Sequence, residues 1–225
     1  LAPNHVNINY IKAVKLNFSV MNNLDAKFRQ NLKMGNDQIE MQSVPILNDI
    51  SREDFYNNFV KPGKAVVIRQ EDSDWNALNW NNEYFSKHAN SVKMAIKTGD
   101  VSKGEREYMY LREYVTLLEK YEEDLKTENN PQLPGYLHDV PFFNLFPNLV
   151  KDIEPFPVHH FPKYYQQDWH KYIQFFMGAT RSLTPLHFDT LYTNNLFFQV
   201  KGYKRFILIP ANQADKCYIR GWRWA

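Results

Sequence analysis

Two side chains whose types and spacing could hold a metal ion stand near the end of the chain. His187 and Asp189 are separated by one residue, and residues i and i+2 of a β-strand point to the same face of a sheet. An imidazole nitrogen and a carboxylate oxygen placed in this way can bind one divalent ion, as two of the three ligands of the facial triad in non-haem iron(II) sites. Because a His-x-Asp pair also arises by chance, the neighbouring residues must indicate whether this pair is a metal site.

A lysine follows this pair after a predicted turn. Lys204 lies 17 positions beyond His187 (204 − 187) and two beyond Gly202. An ammonium one hairpin away could bind a carboxylate as a point charge, whereas its burial without an anionic partner would be costly. Spacing alone favours the simpler alternative, in which Lys204 is a solvated charge in the turn.

The elements that must position these side chains are predicted strands. Apolar, β-prone runs occupy residues 173–177, 196–200 and 205–209, and Gly202 provides a turn between the last two. A strand ending near Thr184 would deliver the His-x-Asp pair. Antiparallel strands joined by short turns, with the pair at one mouth, predict a small barrel or jelly roll.

The earlier part of the chain mixes helices with strands. Apolar periodicity predicts helices over residues 81–89 and 112–126 and strands over residues 65–68 and 91–98. Ser51 is placed to cap another helix at its N-terminus. Helices come first and strands cluster late, which predicts an α+β fold.

Composition sets the broad class of the protein. The chain has 225 residues, 44% of them hydrophobic, which is enough for a sizeable core. Leucines and other apolar residues at helical spacing predict a helical extension over residues 1–41, before a domain over residues 42–225. The net charge of +2 does not favour nucleic acid as a partner, and no apolar run could span a membrane. A single cysteine, Cys217, favours a reducing compartment, the cytoplasm or the nucleus.

Two segments of the sequence resemble a known family. Residues 184–189 (TPLHFD) and 195–205 (NLFFQVKGYKR) are similar to the JmjC/cupin-like 2-oxoglutarate oxygenases, and most similar to the branch of the asparaginyl hydroxylase factor inhibiting HIF. Weaker similarity extends upstream through residues 80–85 (WNNEYF) and 136–139 (YLHD). The resemblance implies a cupin-type double-stranded β-helix, or jelly roll, preceded by a helical N-terminal region.

The resemblance also implies roles for individual residues. Two residues would bind Fe(II), namely His187 and Asp189. Four would bind the cosubstrate 2-oxoglutarate: Lys204, which pairs with its far carboxylate, Thr184 and Tyr136, whose hydroxyls hydrogen-bond to that carboxylate, and Asn195, which lines the pocket. The implied function is hydroxylation of a protein side chain, with a protein as substrate. With the resemblance included, the favoured interpretation is that Lys204 points into the barrel and binds the carboxylate, and no longer that it is a solvated charge in the turn.

The sequence departs from the family pattern in two places. The loop between Asp189 and Asn195 is longer than in the asparaginyl hydroxylase, which leaves the substrate class open. The family's third iron ligand is a histidine beyond the Gly-x-Lys segment, whereas the 21 residues after Lys204 (225 − 204) contain none. We therefore expect a domain that is incomplete at its C-terminus.

These departures leave functional alternatives open. Without a third ligand, the chain would be a catalytically inactive binding or scaffold protein that offers a strand edge or a helix to a partner. Within the same superfamily, protein demethylation and tRNA hydroxylation begin with the same C–H abstraction, and the near-neutral charge favours a protein over tRNA. Assembly as a homodimer is open as well.

Overall fold

The structure is a computed structural model that describes residues 9–13, 42–69, 74–127, 130–189 and 194–217. The chain divides into two compact units, each built from two stretches of sequence. The first unit comprises Leu1–Asp74 and Thr190–Leu208, and the second comprises Trp75–Asp189 and Ile209–Ala225. Most of the helical extension predicted for residues 1–41 lies outside the described residues.

Within the described ranges there are eight strands, which form two sheets of four. The strands are β1 (Asn9–Ala13), β2 (Ile46–Leu47), β3 (Val67–Arg69), β4 (Lys93–Lys97), β5 (Arg106–Tyr110), β6 (Tyr136–Val140), β7 (Phe175–Met177) and β8 (Asn195–Gln199). The first unit contains a parallel sheet in the order β2-β3-β1-β8. The second unit contains an antiparallel sheet in the order β5-β4-β6-β7.

A small apolar core holds the first unit together. Ser51 caps the helix Arg52–Phe55 as predicted, because its hydroxyl accepts a hydrogen bond from the backbone N–H of Asp54 at 3.1 Å. The helix continues into a wider π-helical turn at Tyr56–Val60. Apolar side chains of this segment pack with those of the adjacent strands around a buried centre formed by Phe55, Val66 and Ile68.

In the second unit, the long helix Leu111–Thr127 contacts the antiparallel sheet. Its buried face consists of Leu111, Tyr114, Val115 and Tyr121. The hydroxyl of Tyr114 reaches the backbone of β6 and β7, which fixes the helix against both strands. On β4, Met94 and Ile96 alternate with less buried residues, as expected for a strand with one face in the core.

Aromatic rings fill the space between the helix Asn82–His88 and the strand β7. Trp80 packs edge to face on Phe85 and lies 5.8 Å from the ring centroid of Phe142. Phe142 in turn stacks on Phe175 of β7, with 4.4 Å between the ring centroids. Buried aromatic pairs of this kind contribute stability beyond the area that they bury.

Much of the predicted secondary structure is confirmed. The helices predicted over residues 81–89 and 112–126 are observed as Asn82–His88 and Leu111–Thr127. The strand predicted over residues 91–98 is β4. Together with the antiparallel sheet, these elements confirm the α+β class. None of the helices in the described part of the chain is long and apolar enough to cross a membrane.

Two predicted strands near the site are wrong. Residues 205–209 do not form a strand, and the apolar Ile207 and Ile209 are 52% and 41% exposed. The strand expected to end near Thr184 is β7, which already ends at Met177. The first failure has a simple physical reason, since an apolar run becomes a strand only where a neighbouring strand accepts its hydrogen bonds. In the second, a turn follows β7, in which the backbone N–H of Ser182 donates to the carbonyl oxygen of Ala179.

Candidate metal and cosubstrate site

The predicted metal-binding pair is brought together in the second unit. The Nε2 atom of His187 lies 3.6 Å from Oδ1 of Asp189, and the two side chains are 28% and 30% exposed. Two ligands that share one ion, each about 2.1 Å from it, lie about 3 Å apart at a right angle. A small side-chain adjustment would therefore let both atoms bind a single divalent ion.

A backbone contact sets the tautomer of His187. Its Nδ1 atom lies 2.8 Å from the carbonyl oxygen of Pro185. A carbonyl can only accept, so the proton of the neutral ring resides on Nδ1 and the lone pair is on Nε2, the atom that faces Asp189. Ligating histidines are commonly oriented by such a second hydrogen bond. The donor set and the tautomer thus fit two ligands of an iron site.

A third ligand does not join this pair in the described part of the chain. Among the described residues, no group of three or more His, Cys, Asp or Glu side chains is arranged to hold a metal ion. His159 and His160, the adjacent histidines of the Pro-rich stretch, instead pack against each other with 4.0 Å between ring centroids. The metal-binding role of His187 and Asp189 stays a prediction.

Tyr136 and Thr184 lie together in the same unit. Tyr136 is the first residue of β6 and is buried, and this burial raises the pKa of its phenol to about 12, although the nearby Thr184 hydroxyl acts in the opposite direction. The Oγ1 atom of Thr184 is buried and has no hydrogen-bond partner of ordinary geometry. Both hydroxyls are protonated at neutral pH and are hydrogen-bond donors.

The sequence analysis missed a polar pair beside Tyr136. The Nζ atom of Lys97 lies 3.0 Å from Nδ1 of His138, and the ring of His138 packs edge to face on that of Tyr136. Lys97 is the cross-strand partner of Tyr136 in the β4–β6 register, so the two side chains share a face of the sheet. The alternation in residues 91–98 predicted a strand, but not the register that places a cation beside Tyr136.

The remaining two predicted residues, Lys204 and Asn195, belong to the first unit. Asn195 begins β8 and is exposed. Lys204 is exposed as a residue, but its ammonium lies 5.0 Å from the ring centroid of Phe197 and 5.2 Å from that of Phe206. Removal of the ammonium from water by this packing lowers the pKa of Lys204. The cosubstrate-binding roles of Lys204 and Asn195 stay predictions.

Comparison with known proteins identifies the family. Residues 52–223 match the cupin-like domain family. This match covers most of the chain, so the chain belongs to the cupin-like family, and the predicted jelly-roll class is confirmed at that level. Two of the curated relatives are named as a bifunctional arginine demethylase and lysyl-hydroxylase and as an arginine-specific demethylase.

Three relatives illustrate the similarity. The chain is 30% identical to the bifunctional arginine demethylase and lysyl-hydroxylase psr-1 of Caenorhabditis briggsae over 72% of its own length and 40% of the relative's. It is 24% identical to the human tRNA wybutosine-synthesizing protein 5, over 79% and 59% of the two lengths. It is also 24% identical to the arginine-specific demethylase JMJ22 of Arabidopsis thaliana, over 80% and 33%. The chain thus spans less than two thirds of each relative, and the likeness to the asparaginyl hydroxylase branch stays a prediction.

Proposed function

We propose that this chain is the core of an Fe(II)- and 2-oxoglutarate-dependent oxygenase that hydroxylates a protein side chain. The observation that carries the proposal is the pair formed by His187 and Asp189, in which the bond to Pro185 directs Nε2 of the imidazole toward the carboxylate. The similarity to enzymes named as hydroxylases and demethylases supports it. Fe(II) with 2-oxoglutarate and O₂ would supply hydroxylation of a substrate C–H bond, with one oxygen atom of O₂ entering the substrate and the other entering succinate as the oxo acid loses CO₂.

The chain's own residues have distinct tasks in this proposal. His187 and Asp189 would hold the metal, and the oxo acid would bind at positions that these two residues leave open. The hydroxyls of Tyr136 and Thr184 donate hydrogen bonds to the far carboxylate of 2-oxoglutarate, and they do so at neutral pH because burial keeps the Tyr136 phenol protonated. Lys204 is proposed to supply the balancing positive charge.

The proposed substrate is a protein side chain. A protein substrate agrees with the net charge of +2 and with the relatives named for arginine demethylation and lysine hydroxylation. Hydroxylation of a lysine carbon and hydroxylation of an arginine N-methyl group both begin with abstraction of a hydrogen atom from carbon. The hydroxylated N-methyl group, however, breaks down and releases formaldehyde. Mass spectrometry of lysine and methylarginine peptides, combined with a formaldehyde assay, separates the two outcomes.

Metal binding tests the proposal most directly. We expect Mn(II), used as a redox-stable substitute for Fe(II), to bind the chain in titration calorimetry and 2-oxoglutarate to bind more tightly in its presence. His187→Ala should weaken Mn(II) binding by at least about tenfold, because the loss of one of so few ligands removes well over 1 kcal/mol. His170→Ala, outside the pair, serves as the matched control. Wild-type affinity for Mn(II) in His187→Ala would show that the site lies elsewhere.

A further inference from the structure

Two buried hydroxyls near the candidate site lack a hydrogen-bond partner of ordinary geometry. Among the described residues, Oγ of Ser182 and Oγ1 of Thr184 are both shielded from solvent without an accepted or donated hydrogen bond of ordinary geometry. They are two positions apart, and Leu183 between them is 73% exposed while both of them are partly buried, which places them on the same side of the chain. A buried hydroxyl without a partner costs about 1–3 kcal/mol. Two such hydroxyls side by side indicate that an acceptor enters from outside.

The position of Ser182 links it to Tyr136. A Cβ atom placed on Gly178 would lie 2.6 Å from Oγ of Ser182 and 2.8 Å from Cδ2 of Tyr136. The serine hydroxyl and the tyrosine ring therefore both border the space that a side chain at position 178 would fill, and only a glycine at this position leaves that space empty. Ser182, Thr184 and Tyr136 form one group, which we call the hydroxyl cluster.

The backbone turn before Ser182 is held in place by hydrogen bonds. The backbone N–H of Ser182 donates to the carbonyl oxygen of Ala179 at 3.0 Å. The carboxylate of Glu122, on the long helix, accepts hydrogen bonds from both the backbone N–H and the hydroxyl of Thr180, at 2.7 and 2.8 Å. Arg181 has a positive φ of 74° in this turn. Ser182 is thus positioned before any ligand arrives, which reduces the entropic cost of binding.

The charge beside the hydroxyl cluster indicates the kind of acceptor. Lys97, opposite Tyr136 in the β4–β6 register, brings an ammonium to the same face of the sheet. Hydroxyl donors combined with a positive charge favour an anion with several acceptor oxygens, such as a carboxylate, over a neutral carbonyl. The acceptor that these donors favour is therefore of the same chemistry as the far end of the proposed cosubstrate.

We propose that Ser182 contributes a third hydroxyl, together with Tyr136 and Thr184, to the binding of the far carboxylate of 2-oxoglutarate. This inference rests on the proposed function and extends it to a residue that the sequence did not single out. It predicts that one variant gains stability and loses affinity for 2-oxoglutarate. Ser182→Ala removes an unsatisfied hydroxyl from the free protein, which raises its melting temperature, and removes a donor from the complex, which weakens 2-oxoglutarate binding by about tenfold.

The experiment compares the wild-type chain, Ser182→Ala and the control Ser86→Ala, whose serine lies on the exposed side of the helix Asn82–His88. Each is melted without ligand and is titrated with 2-oxoglutarate and with oxalate in the presence of Mn(II). Oxalate chelates a metal but has no far carboxylate, so its affinity should be the same in all three proteins. Ser86→Ala should match the wild type throughout.

The outcomes separate this inference from the proposed function. A higher melting temperature and about tenfold weaker 2-oxoglutarate binding for Ser182→Ala, with oxalate unaffected, support the inference. Wild-type affinity of Ser182→Ala for 2-oxoglutarate overturns it and leaves the proposed function intact. Equal weakening of oxalate and 2-oxoglutarate overturns it as well, because the effect then lies at the metal. If the wild-type chain binds no 2-oxoglutarate, the proposed function fails and the inference fails with it.

Discussion

The hydroxyl of Tyr114 lies 2.8 Å from the backbone carbonyl oxygen of Met177, the last residue of β7. The same hydroxyl lies 2.8 Å from the carbonyl oxygen of Gly135 and accepts a hydrogen bond from the backbone N–H of Leu137 at 3.3 Å. One phenol on the long helix thus joins the start of β6, where Tyr136 is located, to the end of β7, where the segment toward His187 begins. Burial raises the pKa of Tyr114 well above its ordinary value.

Tyr114→Phe is expected to destabilise the fold by about 1–3 kcal/mol, because it leaves buried backbone groups without their partner. The measurement is urea unfolding followed by circular dichroism, with the slope checked for two-state behaviour. Tyr108→Phe is the matched control, since the Tyr108 side chain is 63% exposed. Equal stability of Tyr114→Phe and wild type would mean that water replaces the phenol at these backbone groups.

Tyr136 gives the fold a sensitivity to alkaline pH. Burial raises its pKa to about 12, whereas a tyrosine in the unfolded chain titrates near 10. The unfolded state therefore loses its proton first, and the stability due to this group is complete below about pH 10 and is lost as the pH rises toward 12. Tyr136→Phe should reduce the loss of unfolding free energy between about pH 9 and pH 11 by on the order of 1 kcal/mol. Urea unfolding at both pH values measures this, and a wild-type slope in Tyr136→Phe would contradict it.

The sequence predicted the elements whose signals are local. The long helix and β4 follow from apolar periodicity, and the cap at Ser51 follows from the residue type. The strand β5 was missed because it begins with exposed charged residues and depends on its pairing with β4. Residues 205–209 show the opposite error, since their apolar run pairs with no strand among the residues that the structure describes.

Only those features of the site that depend on residue type and spacing could be predicted from the sequence. The spacing of His187 and Asp189 predicted that the two side chains lie close together, and the structure confirms this contact. The tautomer set by Pro185 and the pairing of Lys97 with His138 depend on backbone path and strand register, which the sequence does not state. Ser182 could not be recognised from sequence because a serine acquires significance only when its hydroxyl is buried without a partner.

Gly178 is expected to be essential for the shape of the hydroxyl cluster. Gly178→Ala would place a methyl group 2.6 Å from Oγ of Ser182 and 2.8 Å from the Tyr136 ring, both closer than van der Waals contact allows. We expect a loss of about 1–3 kcal/mol in unfolding free energy from this overpacking. Combining it with Ser182→Gly should recover part of the loss, because one of the two clashing side chains is then absent. A double-mutant cycle in urea measures the coupling, and strict additivity would show that the two positions do not interact.

Asp152 makes the second unit sensitive to acid. The residue is 2% exposed, and its carboxylate accepts hydrogen bonds from Tyr84, from Nε1 of Trp80 at 2.9 Å and from Nδ2 of Asn76 at 3.1 Å. Burial alone would raise the pKa of this carboxyl, but the three hydrogen bonds outweigh burial and lower it below its ordinary value. The carboxylate therefore joins the helical segment around Trp80 to the 3₁₀-helix Pro147–Ile153 as long as it remains charged.

The sign of the pH effect follows from the lowered pKa. An aspartate in the unfolded chain titrates near pH 3.9, so the stability due to Asp152 is complete above about pH 4 and is lost as the pH falls through the lower pKa of the folded state. Asp152→Asn places an N–H₂ group among donors and should cost about 1–3 kcal/mol at neutral pH. It should also flatten the loss of stability below about pH 4, whereas Glu53→Gln, at an exposed helix position, should leave that loss unchanged. Unfolding in urea between neutral pH and about pH 3 tests both statements, and an acid transition of wild-type steepness in Asp152→Asn would assign the acid sensitivity to other carboxylates.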